Sequence, residues 1–293
     1  MNPERHPGPD RARLERDVRR LAVPRHPSNS LDALLAAEQY VAEQLEEAGV
    51  PVVRQPFDWK GRSFNNVVGR REGSDPSRPW VVVGAHFDST AHTPGADDNA
   101  SAVAAMLEIA RITREWRNAA TIEFVGFNLE EIQSIVPPIY RVGSHAYARA
   151  LKAARRRIAG AFVLEMVGYT GARQMVPAAV HLVKKVPKTG DFLAAVGDGN
   201  SGHLLDAMER AADGVVPLVT LTVPLKGWLV PDTRRSDNAR FWDEGYAALM
   251  VTDTADLRNP NYHRETDTPD SLNYDFLAAV THAVTRAVRI VAA

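Results

Sequence analysis

Cysteine is absent from this chain of 293 residues. No disulfide can therefore form, and any metal site has to be built from His nitrogens and carboxylate oxygens. An excess of one charge is missing too, because 35 Lys and Arg residues stand against 36 Asp and Glu residues, a net charge of -1. We therefore expect neither nucleic acid nor an anionic membrane surface as the main partner.

Long apolar runs are also absent. No stretch approaches the roughly 20 apolar residues that cross a bilayer, and the start, "MNPERHPGPDRARLERDVRR", lacks the apolar centre of a secretory signal. These absences favour a cytoplasmic protein. The Pro-rich, charged residues 1–12 are typical of a flexible tail. The length and the 45% apolar content suit one large α/β domain or two small ones, and we assign 13–293 to one domain.

Four short apolar segments indicate buried strands: "WVVVGAHF", "ATIEFVGFN", "IAGAFVLEMVG" and "ALMVTD". Their continuous apolar character is typical of strands that are covered on both faces. Helical periodicity separates them, for example over Asn99–Trp116, and also over Leu31–Gly49 and the C-terminal segment. "VPVVRQPF" and "FNNVVGRR" predict a pair of antiparallel strands. The pattern predicts an α/β fold: a mostly parallel, mixed sheet with helices on both faces, an α/β/α sandwich.

Chemically active side chains follow every one of these predicted core strands. In open α/β sheets, ligands bind beyond the carboxyl ends of the strands. His86 ends the first strand, and Asp97 and Asp98 lie in the Gly/Pro-rich turn that follows it. The later strands deliver Glu130, Glu131, Glu165, Tyr262 and His263.

Each of these residues also has a purely structural interpretation. An Asp before a helix usually caps it, and paired Glu residues usually lie in a solvated loop. Glu165 is different, because it lies inside an apolar strand with no Lys or Arg beside it, and a buried carboxylate needs a cation. Two His and at least three carboxylates at one edge therefore predict a metal site. Zinc suits these donors, and two ions can share one carboxylate.

Six motifs occur in a fixed order: "GAHFDS", "PGADDNASAVAAMLEIAR", "EE", "LEMVGY", "RRSDNARFW" and "YHRETDTPD". Together they resemble the M28 zinc peptidases, which are co-catalytic zinc aminopeptidases related to the glutaminyl cyclases. The resemblance begins near Leu14 and reaches the C-terminal helix; it is strong over 80–131 and 232–275 and thin over 170–230. It implies a zinc-exopeptidase, phosphorylase/hydrolase-like fold, and makes 13–293 a zinc-peptidase catalytic domain.

The resemblance also implies a role for each residue. Two zinc ions are expected, although one is possible, and the implied ligands are His86, Asp98, Glu131, Glu165 and His263, with Asp98 bridging. Glu130 matches the general base, Asp88 matches the acid that orients the ring of His86, and Asp97 becomes a turn residue. Tyr262 either contacts the substrate carbonyl or simply packs.

The chain departs from the family pattern at three places. "IQSIVPPIYRV" intervenes between the Glu pair and Gly143, where it either roofs the pocket or packs on a neighbour. Asn238 stands where the family often has His, and Glu165 is longer than the usual Asp, which makes two-metal occupancy less secure than one. The loop "VPLKGWLVPD" is either an ordinary surface loop, the commoner case, or a pocket edge.

The implied function is zinc-dependent hydrolysis of an amide bond by an aminopeptidase, which acts on a small peptide or an aminoacyl amide, with Glu130 as general base for the attacking water. One alternative is intramolecular acyl transfer, as in glutaminyl cyclases, or specialised biosynthetic amide processing. Another is a non-catalytic binding protein, which the competent residues at every ligand position disfavour. Neither the preferred side chain nor the oligomeric state follows from the sequence.

Overall fold

The computed structural model describes residues 8–131, 134–135, 138–181 and 184–293, with side chains omitted over 132–139 and at Ala179. The strands are β1 Val52–Trp59, β2 Arg62–Arg71, β3 Trp80–His86, β4 Ile122–Phe127, β5 Ser134–Ile135, β6 Pro138–Ile139, β7 Ile158–Glu165, β8 Leu193–Asp198, β9 Leu218–Val223 and β10 Ala248–Thr252. The helices are α1 Arg11–Leu21, α2 Leu31–Glu47, α3 Ala102–Ile112, α4 Val142–Ala153, α5 Ala178–His181, α6 Gly202–Ala212, α7 Asn238–Asp243 and α8 Tyr274–Ala292.

Among the described residues, eight strands form one mixed sheet in the order β1-β2-β4-β3-β7-β10-β8-β9. The four central strands, β4, β3, β7 and β10, run parallel to one another. The strands β1 and β2 pair antiparallel, as the sequence predicts, and β8 runs antiparallel to β10. The predicted α/β fold with a mostly parallel, mixed sheet is confirmed.

The sheet has helices on both faces, which explains the continuous apolar strands. Every residue of β3 and β4 is buried. Val81 and Val83 belong to the core that α1, α2, α3, α6 and α8 complete on one face. Val82, between them, belongs to the core on the other face, where α4 and α7 pack. Successive side chains of a strand point to opposite faces, so a strand covered on both sides has to be apolar throughout.

The segment between β7 and β10 contains structure that the sequence left unassigned. There α6 packs beside β8 and β9, which extend the sheet by two strands. Most residues of β9 are only half-buried, so its apolar pattern is weak. This edge of the sheet also carries the cavity that is described below.

Two helix boundaries in the structure differ from those that the sequence suggests. Residues 11 and 12, assigned to the tail, form the first turn of α1, because the Asp10 side chain accepts hydrogen bonds from the N–H groups of Ala12 and Arg13 and caps the helix. The helical pattern of "GSHAYARALKAARRR" predicts a helix through Arg157, but α4 ends at Ala153, because Arg155 adopts a left-handed backbone conformation (φ 50°). None of the described helices is long and apolar enough to cross a membrane.

Candidate active site

Two groups of potential metal ligands meet at the carboxyl edge of the parallel strands. In the first, Nε2 of His86 lies 3.4 Å from a carboxylate oxygen of Asp98 and 3.4 Å from one of Glu165. In the second, Nε2 of His263 lies 3.1 Å from the other oxygen of Asp98 and 3.4 Å from Glu131. Asp98 thus contributes one oxygen to each group, and the five predicted ligands lie together.

The topology of the sheet brings these residues to one place. His86 and Glu165 are the last residues of the parallel strands β3 and β7. Asp98 lies in the irregular turn 96–101 that precedes α3 and contains a cis peptide bond to Asn99. Glu131 follows β4, and His263 follows β10 with a left-handed backbone (φ 56°). A residue other than glycine that is held in this uncommon backbone conformation is typical of a functional site.

Asp88 connects the first ligand to the Glu pair. Its carboxylate oxygen Oδ1 lies 3.5 Å from Nδ1 of His86, and its backbone oxygen lies 3.3 Å from the same nitrogen. Its two carboxylate oxygens also accept hydrogen bonds from the backbone N–H groups of Glu130 (3.0 Å) and Glu131 (3.2 Å). The buried Asp88 therefore contacts the His86 ring and also binds the backbone of the segment that follows β4.

Two further carboxylates hold the turn that carries Asp98. The oxygens of Asp267 accept hydrogen bonds from the backbone N–H groups of Asp97 (2.9 Å) and Asp98 (3.1 Å). The side chain of Asp97 points away from both ligand groups and accepts from Gly168 N (3.0 Å) and Asn259 Nδ2 (2.7 Å). Asp97 thus has the contacts of a turn residue, in agreement with its assignment.

Glu130 is buried beside the ligand groups but belongs to neither of them. Its backbone oxygen accepts from Arg141 N (2.7 Å), so the short segment that carries the Glu pair is bound on both sides. Burial, together with the nearby charge of Glu131, raises the pKa of Glu130 well above its ordinary value, although His86 opposes the shift. A buried carboxyl with a raised pKa, not used as a ligand, has the properties of a general base.

The pKa values of the ligand side chains indicate that both ligand groups attract a positive charge. Burial alone would lower the pKa of His263, but hydrogen bonds to Asp98 and Glu131 raise it to about 11. Burial and the neighbouring charge of Asp98 raise the pKa of Glu131 to about 7. Burial opposes ionisation of Asp98 as well, but the two His side chains keep its pKa low.

The donor atoms of each group fit zinc. His nitrogen and carboxylate oxygen are zinc ligands, and a tetrahedral ion bound at about 2.0–2.2 Å separates its donors by about 3.3–3.6 Å. The four nitrogen–oxygen distances in the two groups range from 3.1 to 3.4 Å. Glu165, despite its extra methylene, reaches the first group and accepts a hydrogen bond from Ser236 Oγ (2.6 Å).

Tyr262 stands at the border between the ligands and the cavity beside them. Its ring stacks on the ring of His263, with centroids 3.8 Å apart and planes inclined by 19°. Its hydroxyl oxygen accepts a hydrogen bond from Arg235 Nη2 (3.0 Å). Burial and the charges of Asp98 and Glu131 raise the pKa of Tyr262, so the phenol keeps its proton. This geometry is compatible with packing alone and with a hydrogen bond to a substrate.

An apolar cavity opens next to the ligand groups. Its volume is about 130 Å³, and Glu165 and Tyr262 form part of its wall. Its floor is formed by side chains of β8, β9 and β10, among them Val196, Val219 and Met250. The wall includes apolar side chains of Met175, Val180, Phe192, Val219, Leu221 and Met250. Such a cavity suits a large apolar group.

The departures from the family pattern have different outcomes. In the loop "VPLKGWLVPD", Val230 and Asp232 line the cavity, so the pocket-edge interpretation is correct. Asn238 is buried and donates to the backbone oxygen of Thr233 (3.0 Å), within the structure that supports this loop. Residues 132, 133, 136 and 137 of the insertion lie outside the described residues; 134–135 pairs with 138–139 as a short antiparallel ladder.

Several residues of the site had no assigned role. Ser236, Asp267 and Arg235 contact ligands or Tyr262, as given above. Asp237 is completely buried, and burial raises its pKa to about 7. "RRSDN" and "TDTP" were visible as polar clusters, but nothing in their spacing says that they face the strand ends.

The comparison with known proteins agrees with this geometry. The chain matches Peptidase family M28 over residues 66–288. It belongs to this family. It is 31% identical to the uncharacterized protein YfbL of Escherichia coli K12, over 96% of this chain and 87% of that protein. The predicted family is confirmed, and the protein is a metallopeptidase.

Solved structures with the same fold have two kinds of activity. The aminopeptidase from Aneurinibacillus sp. strain AM-1 superposes with a TM-score of 0.72 at 17% identity, over 95% of this chain and 93% of the other. The glutaminyl cyclase from Bacteroides thetaiotaomicron, solved with N-acetylhistamine, gives 0.72 at 19% identity, over 97% and 99%. At these identities the likeness establishes the fold and leaves the reaction open.

Proposed function

We propose that this M28 member is a two-zinc aminopeptidase that removes N-terminal residues with large apolar side chains. The observation that supports this proposal most strongly is the carboxylate of Asp98, which contributes one oxygen to each of two donor groups. Beside these groups lie a buried non-ligand carboxyl, Glu130, and an apolar cavity.

The residues divide into metal ligands and groups that act on the substrate. His86, Asp98 and Glu165 would hold one ion, and Asp98, Glu131 and His263 the other. When bound, the ions would supply Lewis acidity, which polarises the substrate carbonyl and makes water a better nucleophile at neutral pH. Asp88 orients the His86 ring and holds the Glu pair in place.

Glu130 moves the proton. As the water oxygen bonds to the carbonyl carbon, Glu130 takes the water proton; when the carbon–nitrogen bond breaks, it passes that proton to the leaving amine. Tyr262 remains protonated, and its oxygen accepts from Arg235. Its own hydrogen is therefore available to the carbonyl oxygen of the substrate, where negative charge develops.

The cavity gives the proposal its substrate class. Glu165 and Tyr262 form its wall, so a side chain that fills it leaves the adjacent carbonyl next to the ligand groups. Most of the wall is apolar, which favours Leu, Met or Phe over Gly, which would leave the cavity empty, and over Asp or Lys, which would lose hydration. The acidic residues Asp232 and Asp256 in the wall already pair with Arg235. The carboxylates of the site are suited to the free ammonium group of the substrate.

The test is a panel of aminoacyl 4-nitroanilides assayed with the zinc-loaded and the chelated enzyme. We expect release from leucyl, methionyl and phenylalanyl substrates, none after chelation, and none from N-acetyl-leucyl 4-nitroanilide, which lacks the free amine. Equal release from the acetylated substrate would contradict an aminopeptidase. A Gln-initiated peptide converted to a product lighter by one ammonia, with no anilide hydrolysed, would establish cyclisation instead.

A further inference from the structure

We propose that Arg25 is a positioning residue of the metal centre, which sets the spacing between the ligands His86 and Asp98. Arg25 lies between α1 and α2, in a part of the chain that precedes the residues matched by the family. It does not touch the ligands. It acts on the backbone of the segment 87–95, which connects one ligand to the turn that carries the other.

The guanidinium group of Arg25 is completely buried, and its nitrogens donate to backbone oxygens. Nε donates to Phe87 (2.6 Å), the residue directly after His86. Nη1 donates to Pro94 (2.6 Å), and Nη2 donates to Gly95 (2.9 Å), three residues before Asp98. Nη1 also donates to Leu21 (2.8 Å) and Val23 (3.0 Å). One planar group therefore fixes both ends of the segment and ties them to the end of α1.

The main chain of Arg25 adds two hydrogen bonds to the middle of the same segment. Its N–H donates to Ser89 Oγ (3.0 Å), and its carbonyl accepts from Ser89 N (3.1 Å). Gly95 packs closely against the guanidinium, because a Cβ at that position would lie 3.2 Å from Nη1. The segment 87–95 is thus bound at its start, middle and end by a single residue.

The buried charge indicates that Arg25 does more than fill space. Burial lowers the pKa of Arg25 to about 10, so it stays protonated at neutral pH, in the field of Asp88 and Asp98. A cation near a zinc site repels the ion, so charge alone would weaken metal binding. Arginine offers a rigid, planar set of N–H donors that lysine lacks. We therefore attribute the buried arginine to the geometry of its hydrogen bonds to the segment 87–95, which we call the clamp.

Two substitutions separate geometry from charge. Arg25→Lys keeps the charge and loses the fork, whereas Arg25→Met loses both. If geometry dominates, both variants bind zinc more weakly. If charge dominates, Arg25→Met binds zinc more tightly. Ser89→Ala is a milder variant that leaves the buried charge in place: it removes the hydrogen bond from Arg25 N–H and the bond that Ser89 Oγ donates to a backbone oxygen of the same segment.

Arg111→Met is the matched control. The Arg111 side chain is 13% exposed and donates to Asp17 (2.6 Å) and Gln44 (2.7 Å), none of which contacts a metal ligand. This substitution also removes a largely buried guanidinium, so it should lower the melting temperature of the metal-free protein in a similar way. It should leave zinc affinity unchanged.

The measurement is competitive zinc titration against a chromophoric chelator, with the melting temperature of each metal-free variant recorded beside it. We expect a 10- to 100-fold loss of zinc affinity in Arg25→Lys and Arg25→Met, a smaller loss in Ser89→Ala and none in Arg111→Met. The proposal is overturned by wild-type affinity in a folded Arg25 variant or by unchanged affinity in Ser89→Ala. Equal loss in Arg111→Met, or a wild type that binds no zinc, would also overturn it. The titration involves no substrate, so failure of this proposal can be distinguished from failure of the proposed peptidase activity.

Discussion

The ligand groups and the apolar cavity share a wall, but the chain builds them in different ways. Each ligand lies at or shortly after the end of a parallel strand, or in the turn before α3, and backbone hydrogen bonds to Asp88 and Asp267 hold the segments. The cavity takes its walls from the sheet edge at β8 and β9, from β10, and from residues within 174–180, 184–186, 230–235 and 254–257.

Because of this difference, the metal centre and the selectivity for the substrate side chain depend on different parts of the chain. Strand ends in a parallel sheet are fixed by the core, which makes the metal centre insensitive to changes at the surface. Loops at the edge of the sheet can change without disturbing that core. We therefore expect metal binding and substrate preference to respond independently to substitution.

The largest effect should follow from Asp98→Asn. Because Asp98 contributes to both ligand groups, this variant should lose both ions and fall to background activity. Asp198→Asn is the matched control: Asp198 is buried at the end of β8, and its Oδ1 accepts hydrogen bonds from Asn200 N (3.1 Å) and Ser201 Oγ (2.7 Å), which an amide oxygen can also accept. Metal analysis after dialysis should find two ions per chain in the control. Retention of one ion in Asp98→Asn would show that Asp98 is not needed for both metal sites.

A substitution on the floor of the cavity should change selectivity and leave the metal centre intact. Val219→Phe narrows the space for a substrate side chain. We expect kcat/KM to fall roughly 10- to 100-fold for phenylalanyl 4-nitroanilide and to change little for the alanyl substrate. Val53→Phe, at an exposed position of β1, is the control. A uniform loss across all substrates would mean that the cavity and the metal centre are not independent.

A smaller effect is expected on the stability of the metal-free protein, which should depend on pH. Glu131 and Asp237 have folded pKa values of about 7, above those of the unfolded chain, so the folded form holds extra protons between about pH 4.5 and 7. Their contribution to stability is present at low pH and declines as pH rises through 7, and His263, whose pKa is about 11, acts in the same direction up to that pH.

The melting temperature of the chelated protein should therefore fall by roughly a few degrees from pH 6 to pH 8. Zinc loading should reduce this decline, because bound metal replaces the protons of Glu131 and His263 and leaves only that of Asp237. A metal-free protein that becomes more stable over this range would show that the carboxylates are solvated and not grouped as described.

The residues at the strand ends could be predicted because their signals are local. His86 ends a continuous apolar strand, and Glu165 is a carboxylate in an apolar run without a basic neighbour. Parallel topology then places such residues at one edge. The order of motifs assigned roles that spacing alone leaves open, such as the choice between Asp97 and Asp98.

The cavity and the clamp could not be predicted, because both depend on contacts between distant segments. Phe192, Val219 and Met250 come together because β8, β9 and β10 pair in the sheet. The edge strand β9 is only half-buried, so its sequence lacks the continuous apolar pattern that would predict this pairing. Arg25 stands among polar residues before α2, and only the fold shows that its guanidinium reaches Phe87 and Gly95. Specific hydrogen bonds to backbone oxygens leave no periodic signal in a sequence.

The central claim is that Glu130 acts as the base of a two-zinc hydrolase without being a ligand. The most direct test measures turnover of leucyl 4-nitroanilide and zinc content together in Glu130→Gln, with Glu38→Gln, a buried glutamate that pairs with Arg54, as control. The account predicts two zinc ions in both variants, full turnover in Glu38→Gln and a loss on the order of 10²–10⁴ in kcat for Glu130→Gln. Wild-type turnover in Glu130→Gln, or loss of zinc from it, would contradict the account.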